Sequence, residues 1–432
     1  MIDRLDESLD DALAWLQRVG PTGTDESTDE RDAGDGGSAS DSGTSIPVEA
    51  QSDGGRSDTD SGPGKRNGTP ADDESGSWKP VDSPTSRTIH GVVHGQDGPY
   101  ACGEGGLLLH RSGEGWRVLL ERGPGVAENT LRSIAATDDG CRLWFAGDSG
   151  ALGYYDVADG HLSDYSAPME KTSTWEAIAV TGKTGEERIR VANGSGEVLD
   201  CTVADGCPTW GEVVEPGGGS TIPGLTAGPD GFYAVDTSGG AYHEPRAEDS
   251  SGNANRHENR NRDGNTNRND SAESDPRDGE PADTEPTDSE PTDEWTKIGV
   301  RNAQVDFQDI WAGEESVFIA GADGIAYRYD PRCENWTPIH VGQGALQAIR
   351  SVGPDAVAVA NGGRIYEREE SIRWTECEVP TEQSLLGLAL ARSSADVENG
   401  LATVSVDIAV GAGGVILERD RRDRSSDRDR SS

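Results

Sequence analysis

Lysine, methionine and phenylalanine are scarce in this chain of 432 residues. Only five of its 38 basic residues are lysine, they face 80 acidic residues, and the formal net charge is −42. No basic stripe interrupts the acidic residues, which argues against a nucleic-acid-binding protein. Charge of one sign on this scale destabilises a compact fold unless salt screens it, and molar salt shortens the Debye length to about 3 Å. The composition predicts a protein of a salt-rich, halophilic cytoplasm, with an acidic protein of ordinary origin as the alternative.

Long apolar runs are also missing, so we expect no membrane insertion. The first twenty residues carry acids where a secretory signal needs a basic start and an apolar core, which favours a cytoplasmic location. The six cysteines contain no CxxC pair, and His90 and His94 lie on a predicted strand, so we expect no metal and no cofactor. Cys201 and Cys207 flank a turn and remain open as a disulfide or as free thiols, and the cytoplasm favours thiols.

Apolar residues make up only 32% of the chain, and three polar segments account for much of the deficit. Residues 21–76, 247–293 and 420–432 are rich in Asp, Ser, Gly, Asn and Arg. Such segments cannot bury enough apolar surface to offset the entropy of ordering. We expect an acidic disordered linker, a disordered insertion and a disordered charged tail, which leaves 77–419 for one large domain.

Residues 1–20 predict an amphipathic helix ahead of the linker. Apolar residues recur at steps of three or four with acids between them, at Ile2, Leu5, Leu9, Leu13 and Leu16. Such a helix, tethered by residues 21–76, can dock in a partner's groove, dimerise or fold back on its own chain. The acidic polar face argues against a membrane surface.

Short glycine-containing turns between apolar runs recur through residues 77–419. Seven of them are "ACGEGG" (101–106), "AGDSG" (146–150), "ANGSG" (192–196), "VDTSGG" (235–240), "AGADG" (320–324), "ANGG" (360–363) and "VGAGG" (410–414). Each one closes on Gly, which adopts the positive φ that a tight hairpin needs. Seven repeats of an apolar run, a turn and an apolar run are therefore expected.

Two further signatures recur with the turns. Before each turn lies an apolar residue, a variable one, a small one and another apolar one: "IHGV" (89–92), "LRSI" (131–134), "WEAI" (175–178), "IPGL" (222–225), "FQDI" (307–310), "LQAI" (346–349) and "LLGL" (385–388). Asp309 is the one exception at the small position. A tryptophan follows most turns and starts a further strand. Four strands with a period near 40–45 residues are typical of a propeller blade.

The pattern therefore predicts an all-β, seven-bladed β-propeller. An open β-sandwich array or a ring of six or eight blades is the alternative. The seventh repeat lacks a fourth strand, and "SWKPVDSP" (77–84) supplies a strand at the other end of the chain. We expect this N-terminal strand to complete the last blade and close the ring. The insertion 247–293 falls between the third and fourth strands of blade four.

The repeats resemble those of a known class of propellers. "IAVGAGGVILER" (408–419) and "ACGEGGLLLHRSGEGW" (101–116) are similar to BNR/sialidase-like and photosystem II assembly-factor-type repeats. "HRSGEGW" (110–116) and "DPRCENW" (330–336) resemble degenerate Asp boxes. The chain looks most like a β-propeller family of haloarchaea. The resemblance implies the fold and little chemistry, because propellers serve many functions.

Catalytic motifs are hard to find in the sequence. It contains no Gly-Lys-Ser/Thr phosphate loop and no serine nucleophile elbow. A sialidase-like site would need an arginine, a Tyr–Glu pair and an acid. The candidates are Arg132, Glu176, Tyr154 and Tyr155, but no motif groups them together. We expect a non-enzymatic scaffold or assembly module with a protein partner, and a sialidase-like, glycan-acting or glycan-binding propeller is the alternative.

The variable position of the second signature points to a binding site. It is occupied in chain order by His90, Arg132, Glu176, Pro223, Gln308, Gln347 and Leu386. Equivalent positions on successive blades should meet near the central channel. We expect His90, Arg132, Glu176, Gln308 and Gln347 to form a candidate site for a small ligand or peptide, or simply to line a wet channel.

Overall fold

The computed structural model describes residues 76–246, 295–300, 303–368, 373–391 and 406–421. In these residues the strands form seven antiparallel sheets of four strands each. The seven-bladed β-propeller is thereby confirmed. The predicted helix 1–20, the predicted linker 21–76 except its last residue, the whole insertion 247–293 and the tail beyond residue 421 lie outside the described residues. No described helix is long and apolar enough to cross a membrane.

The blades follow one another in chain order. Blades one to three comprise β2 (Ile89–His94), β3 (Pro99–Gly103), β4 (Leu107–Ser112), β5 (Gly115–Leu120), β6 (Leu131–Ala136), β7 (Arg142–Gly147), β8 (Leu152–Asp156), β9 (His161–Asp164), β10 (Trp175–Thr181), β11 (Arg188–Asn193), β12 (Val198–Ala204) and β13 (Cys207–Val214). Blades four to seven comprise β14 (Gly224–Gly228), β15 (Gly231–Val235), β16 (Ala241–Pro245), β17 (Thr296–Gly299), β18 (Phe307–Ala312), β19 (Val317–Gly321), β20 (Ile325–Asp330), β21 (Asn335–His340), β22 (Leu346–Val352), β23 (Asp355–Ala360), β24 (Arg364–Arg368), β25 (Trp374–Cys377), β26 (Leu385–Ala389), β27 (Val406–Gly411), β28 (Ile416–Asp420) and β1 (Lys79–Pro80). Short 3-10 turns span Glu104–Gly106, Pro124–Val126, Asp148–Gly150, Pro168–Glu170 and Ala412–Gly414.

The N-terminal strand closes the ring, as the sequence predicts. β1 pairs antiparallel with β28, with Lys79 opposite Glu418, and so becomes the outer strand of blade seven. The strand is very short, and Trp78, which precedes it, is buried at 4% exposure. The Trp78 indole donates to Glu367 of blade six at 2.8 Å. The first described residues therefore fasten the last blade to the rest of the ring.

A glycine at the end of the turn between the second and third strands has positive φ in every blade. In six blades it is the closing glycine, with φ between +69° at Gly363 and +79° at Gly196, whereas in blade four the positive φ of +85° falls on Gly239 and not on the closing Gly240. A Cβ at Gly414 would overlap the carbonyl oxygen of Thr85, and one at Gly363 would overlap that of Thr381. The turn thus lies directly against the chain that enters the next blade, which only glycine permits.

The hydrophobic core is divided among the blade interfaces. Each cluster of buried apolar residues joins two adjacent blades, as where Ile89 and Val92 of blade one pack with Ile408 and Val410 of blade seven. The two apolar residues of the four-residue signature are buried in all seven blades. The signature therefore marks the strand that packs against both neighbours.

Ion pairs, one of them fully buried, add specific links between blades. Arg190 of blade three is 2% exposed and donates through Nε to Oε2 of Glu244 in blade four at 2.7 Å. Arg111 of blade one binds Glu418 of blade seven through two hydrogen bonds, at 2.7 and 2.9 Å. Removing one partner of the Arg190–Glu244 pair leaves a buried charge uncompensated, so this pair enforces one relative placement of blades three and four.

Candidate functional site

A β-bulge sets the orientation of the candidate site residues. In six of the seven blades the pairing of the innermost strand with its neighbour shifts at the variable position, as between Ile89 and Gly91 or Leu131 and Ser133. The bulged residues are His90, Arg132, Glu176, Gln308, Gln347 and Leu386. A bulge adds an unpaired residue and re-aims its side chain. The seventh equivalent, Pro223, directly precedes β14.

These seven residues line one cavity of about 230 Å³ at the centre of the ring. We call them the mouth ring: His90, Arg132, Glu176, Pro223, Gln308, Gln347 and Leu386. The structure thus brings the equivalent positions of all seven blades to one cavity. Whether the mouth ring binds a ligand stays a prediction.

The charged members of the mouth ring, Arg132 and Glu176, come from blades two and three. Arg132 donates through Nε to Oδ1 of Asp148 at 2.6 Å, and its Nη1 lies 3.6 Å from Oε2 of Glu176. Asp148 lies in the turn between β7 and β8. Two carboxylates therefore share one guanidinium at this side of the cavity.

Burial shifts the pKa of two mouth-ring residues. It raises the pKa of Glu176, which Arg132 opposes and Asp148 reinforces. Burial likewise lowers the pKa of His90, and the positive charge of Arg132 lowers it further. His90 is therefore the neutral member of this charged side at pH 7.

Blades five and six supply the neutral amides of the mouth ring, which we call its neutral side. The side chains of Gln308 and Gln347 make no hydrogen bond to any other described residue. Pro223 of blade four and Leu386 of blade seven lie between the neutral and charged sides in ring order. The mouth ring is consequently asymmetric, with ions on one arc, two amides on the other and apolar residues separating them.

The cavity also contains residues that the signature does not reveal. Arg350 follows the small position of blade six by two residues and forms an ion pair with Asp309 of blade five. Asp309 also accepts a hydrogen bond from the backbone N–H of Ile349 at 3.0 Å. Ser133 does the same for Ile178 at 3.2 Å. Asp309, the acidic residue at the otherwise small position of the signature, thus links blade five to blade six.

The mouth ring opens on one face of the propeller, which we call the mouth face. Because the strands are antiparallel, the starts of the innermost strands share this face with the turns between second and third strands and with the connections between blades. Two of those connections carry the exposed large hydrophobic residues of the described chain, Val126 at 71% and Met169 at 55%. Both have positive φ, +57° and +51°.

Other candidates from the sequence lie apart from the cavity. Tyr154 and Tyr155 are on β8, where Tyr154 packs against Trp144 with ring centroids 4.9 Å apart. They do not line the cavity with Arg132 and Glu176, so the sialidase-like grouping is not assembled. Cys201 is buried opposite Trp210, Cys207 is exposed opposite Ala204, and all six cysteines are free thiols. No cluster suited to a metal ion occurs among the described residues.

Comparison with known proteins supports the fold. No protein-family model and no curated protein matches the chain. A solved structure of YCF48 bound to D1 peptide aligns with a TM-score of 0.53 at 12% identity, covering 79% of this chain and 95% of that one. YCF48 from Cyanidioschyzon merolae aligns with a TM-score of 0.51 at 14% identity, covering 80% and 98%. A chain of the mitotic checkpoint complex aligns with a TM-score of 0.55 at 9% identity, covering 79% and 93%.

At these identities the likeness concerns the fold alone. It confirms the propeller fold. The sialidase-like and haloarchaeal parts of the resemblance stay predictions.

Proposed function

We propose that this chain is a non-enzymatic propeller scaffold that assembles with a protein partner through the mouth ring. The observation that carries the proposal is the arrangement of six bulged side chains and Pro223 around one cavity in a closed ring. Propellers of this shape occur in a structure with a D1 peptide and in a checkpoint complex, which supports a role in protein interaction. Fold likeness supplies no partner for this chain.

The second contact in the proposal is the predicted helix with Leu5, Leu9, Leu13 and Leu16. These residues lie outside the described part of the chain. A coil of the length of 21–76 reaches on the order of 40 Å. A helix on such a tether would raise the effective concentration of the partner at the mouth ring.

We further propose a cytoplasmic setting of high salt. The support is the net charge of −42 and the scarcity of lysine. Dialysis into low-salt buffer is expected to diminish the β-sheet circular dichroism signal, because unscreened repulsion favours the unfolded chain. A spectrum that ignores salt would contradict this setting.

The test is affinity capture from a high-salt lysate of the source cells with four baits. They are the full chain, a chain lacking residues 1–20, a Gln347→Arg variant and a control Asn335→Arg variant on the exposed start of β21. The full chain and the control should enrich the same protein, while the helix deletion and Gln347→Arg should enrich less of it. Equal enrichment by all four baits, or none by the full chain, would contradict the proposal.

A further inference from the structure

The size of the cavity limits what can occupy the mouth ring. Its volume is about 230 Å³. Pockets for drug-sized ligands span about 300–1,000 Å³. The mouth ring therefore accommodates a single side chain with its adjoining main chain more readily than an oligosaccharide.

The charge balance favours a positive occupant. The Arg132 guanidinium is bound to Asp148 and lies close to Glu176, so an incoming anion would have to displace a carboxylate. Arg350 is likewise bound to Asp309. The Glu176 carboxylate accepts no hydrogen bond from a described residue, and its 3.6 Å approach to Arg132 is its one ion pair within the described chain. It thus keeps acceptor capacity for a cation.

Half-burial strengthens this preference. Removal of water from Glu176 disfavours its charged form, and burial accordingly raises its pKa. A cation placed against the carboxylate would offset that cost. A cation in the cavity would also be screened by salt less than one on the open surface.

The opposite arc suits a peptide main chain. The amides of Gln308 and Gln347 each offer a donor and an acceptor, and neither group bonds to another described residue. An amide side chain pairs with a backbone amide by donating to its C=O and accepting from its N–H. Adjacent blades present the two glutamines side by side at equivalent bulges.

We propose that the mouth ring binds an arginine or lysine side chain of an extended peptide, with the cation against Glu176 and the peptide backbone against Gln308 and Gln347. Pro223 and Leu386 contact the aliphatic stem between these two ends. This inference rests on the proposed function and names the chemistry of its partner.

The test uses defined tripeptides on the full chain, titrated by calorimetry at a salt concentration where circular dichroism shows the folded protein. The probes are acetyl-Gly-Xaa-Gly-amide with arginine, lysine, citrulline or glutamate at the centre. The arginine or lysine peptide should bind about tenfold more tightly than citrulline, which keeps the shape and lacks the charge. Equal affinity for citrulline and arginine, or preference for glutamate, would overturn the assignment.

Three variants test the individual contacts. Glu176→Gln should weaken the cationic peptide about tenfold and leave citrulline unchanged, whereas Glu314→Gln, in an exposed turn at the opposite face, should change neither. Gln308→Ala with Gln347→Ala should weaken both peptides by similar factors. If Glu176→Gln fails to fold, Gln347→Glu decides the matter through the ratio of arginine to citrulline affinity. Both peptides lose the same backbone contact with Gln347, but a second carboxylate in the cavity should raise this ratio several-fold, and an unchanged or smaller ratio would overturn the proposal.

The two proposals can fail separately. If no tripeptide binds but Gln347→Arg still loses the captured protein, the mouth ring contacts a partner and the cationic assignment is wrong. If cationic tripeptides bind and no protein is captured by the full chain, the site chemistry stands and the scaffold role is wrong.

Discussion

Replacing Trp78 with alanine is expected to open the joint between blade seven and the rest of the ring. Trp78 precedes a two-residue strand, β1, whose described ladder pairs only Lys79 and Pro80 with β28. Proline has no N–H to donate, so this ladder is weak. The tryptophan instead packs with Leu417, its indole donates to Glu367, and the Arg419 guanidinium lies 4.7 Å from its ring centroid.

The expected loss follows from these contacts. Truncating a buried tryptophan to alanine costs about 3–5 kcal/mol, and that range already contains most of the burial. The lost hydrogen bond to the Glu367 carboxylate and the lost contact with Arg419 add about 1 kcal/mol after allowance for overlap. A total of about 5 kcal/mol would lower the Tm of a domain of this size by about 8 °C, given the average entropy of unfolding per residue.

The assay is a thermal melt followed by circular dichroism in molar salt, with Lys79→Ala as the control. Lys79 is exposed in the same strand, so its truncation should leave Tm within about 1 °C. Limited proteolysis should also cut the Trp78→Ala protein before residue 89 at a temperature where the parent chain resists. A Trp78→Ala Tm equal to that of the control would refute the view that this residue closes the ring.

Three further substitutions test the turns and one buried acid. Gly414→Ala should destabilise the fold by about 3 kcal/mol or more because its Cβ would overlap the Thr85 carbonyl. Gly413→Ala, at positive φ but with only ordinary van der Waals contact to Gln383, should cost about 1 kcal/mol, and equal melts would contradict the packing argument. Val126→Asn should raise Tm by about 1–2 °C, since asparagine tolerates the left-handed conformation better than a β-branched residue, and a lower Tm would count against strain there. Burial opposes the charged form of Asp236, but hydrogen bonds led by that from Tyr242 hold its pKa below the ordinary value. The contribution of Asp236 to stability is therefore present at neutral pH and lost as pH falls below about 4. Asp236→Asn should lower the midpoint of guanidinium unfolding at pH 7 and flatten the dependence of that midpoint on acid pH. Parallel pH profiles of the variant and the parent chain would show that Asp236 has no such role.

The blade count and the closure could be predicted because the repeat carries them locally. The closing glycines are fixed by contact with the next connection, as at Gly363 and Gly414, so they recur whatever surrounds them. The channel-facing position could be predicted because, in each blade, it lies within a four-residue signature whose two apolar residues are buried. His90 and Gln347 therefore meet at the cavity although 257 positions separate their numbers.

Other parts of the site depend on contacts between residues that are distant in the sequence, and no feature of the repeat indicates which residues pair. Asp148 reaches Arg132 from a turn, and Arg350 reaches Asp309 from the next blade. Arg190 and Glu244 lie 54 residues apart and pair only because blades three and four are adjacent. In a chain with 80 acids, each arginine has many candidate partners, and only the folded backbone selects among them.

The most direct measurement of the central claim is hydrogen exchange on the full chain with and without its captured partner. The proposal predicts that the partner slows amide exchange in peptides covering the innermost strand starts, at His90, Arg132, Glu176, Gln308 and Gln347. The outer strands, such as β21, should exchange at the same rate in both samples. Slowed exchange confined to outer strands or to the face opposite the mouth ring would contradict the claim that this propeller binds its partner at the channel.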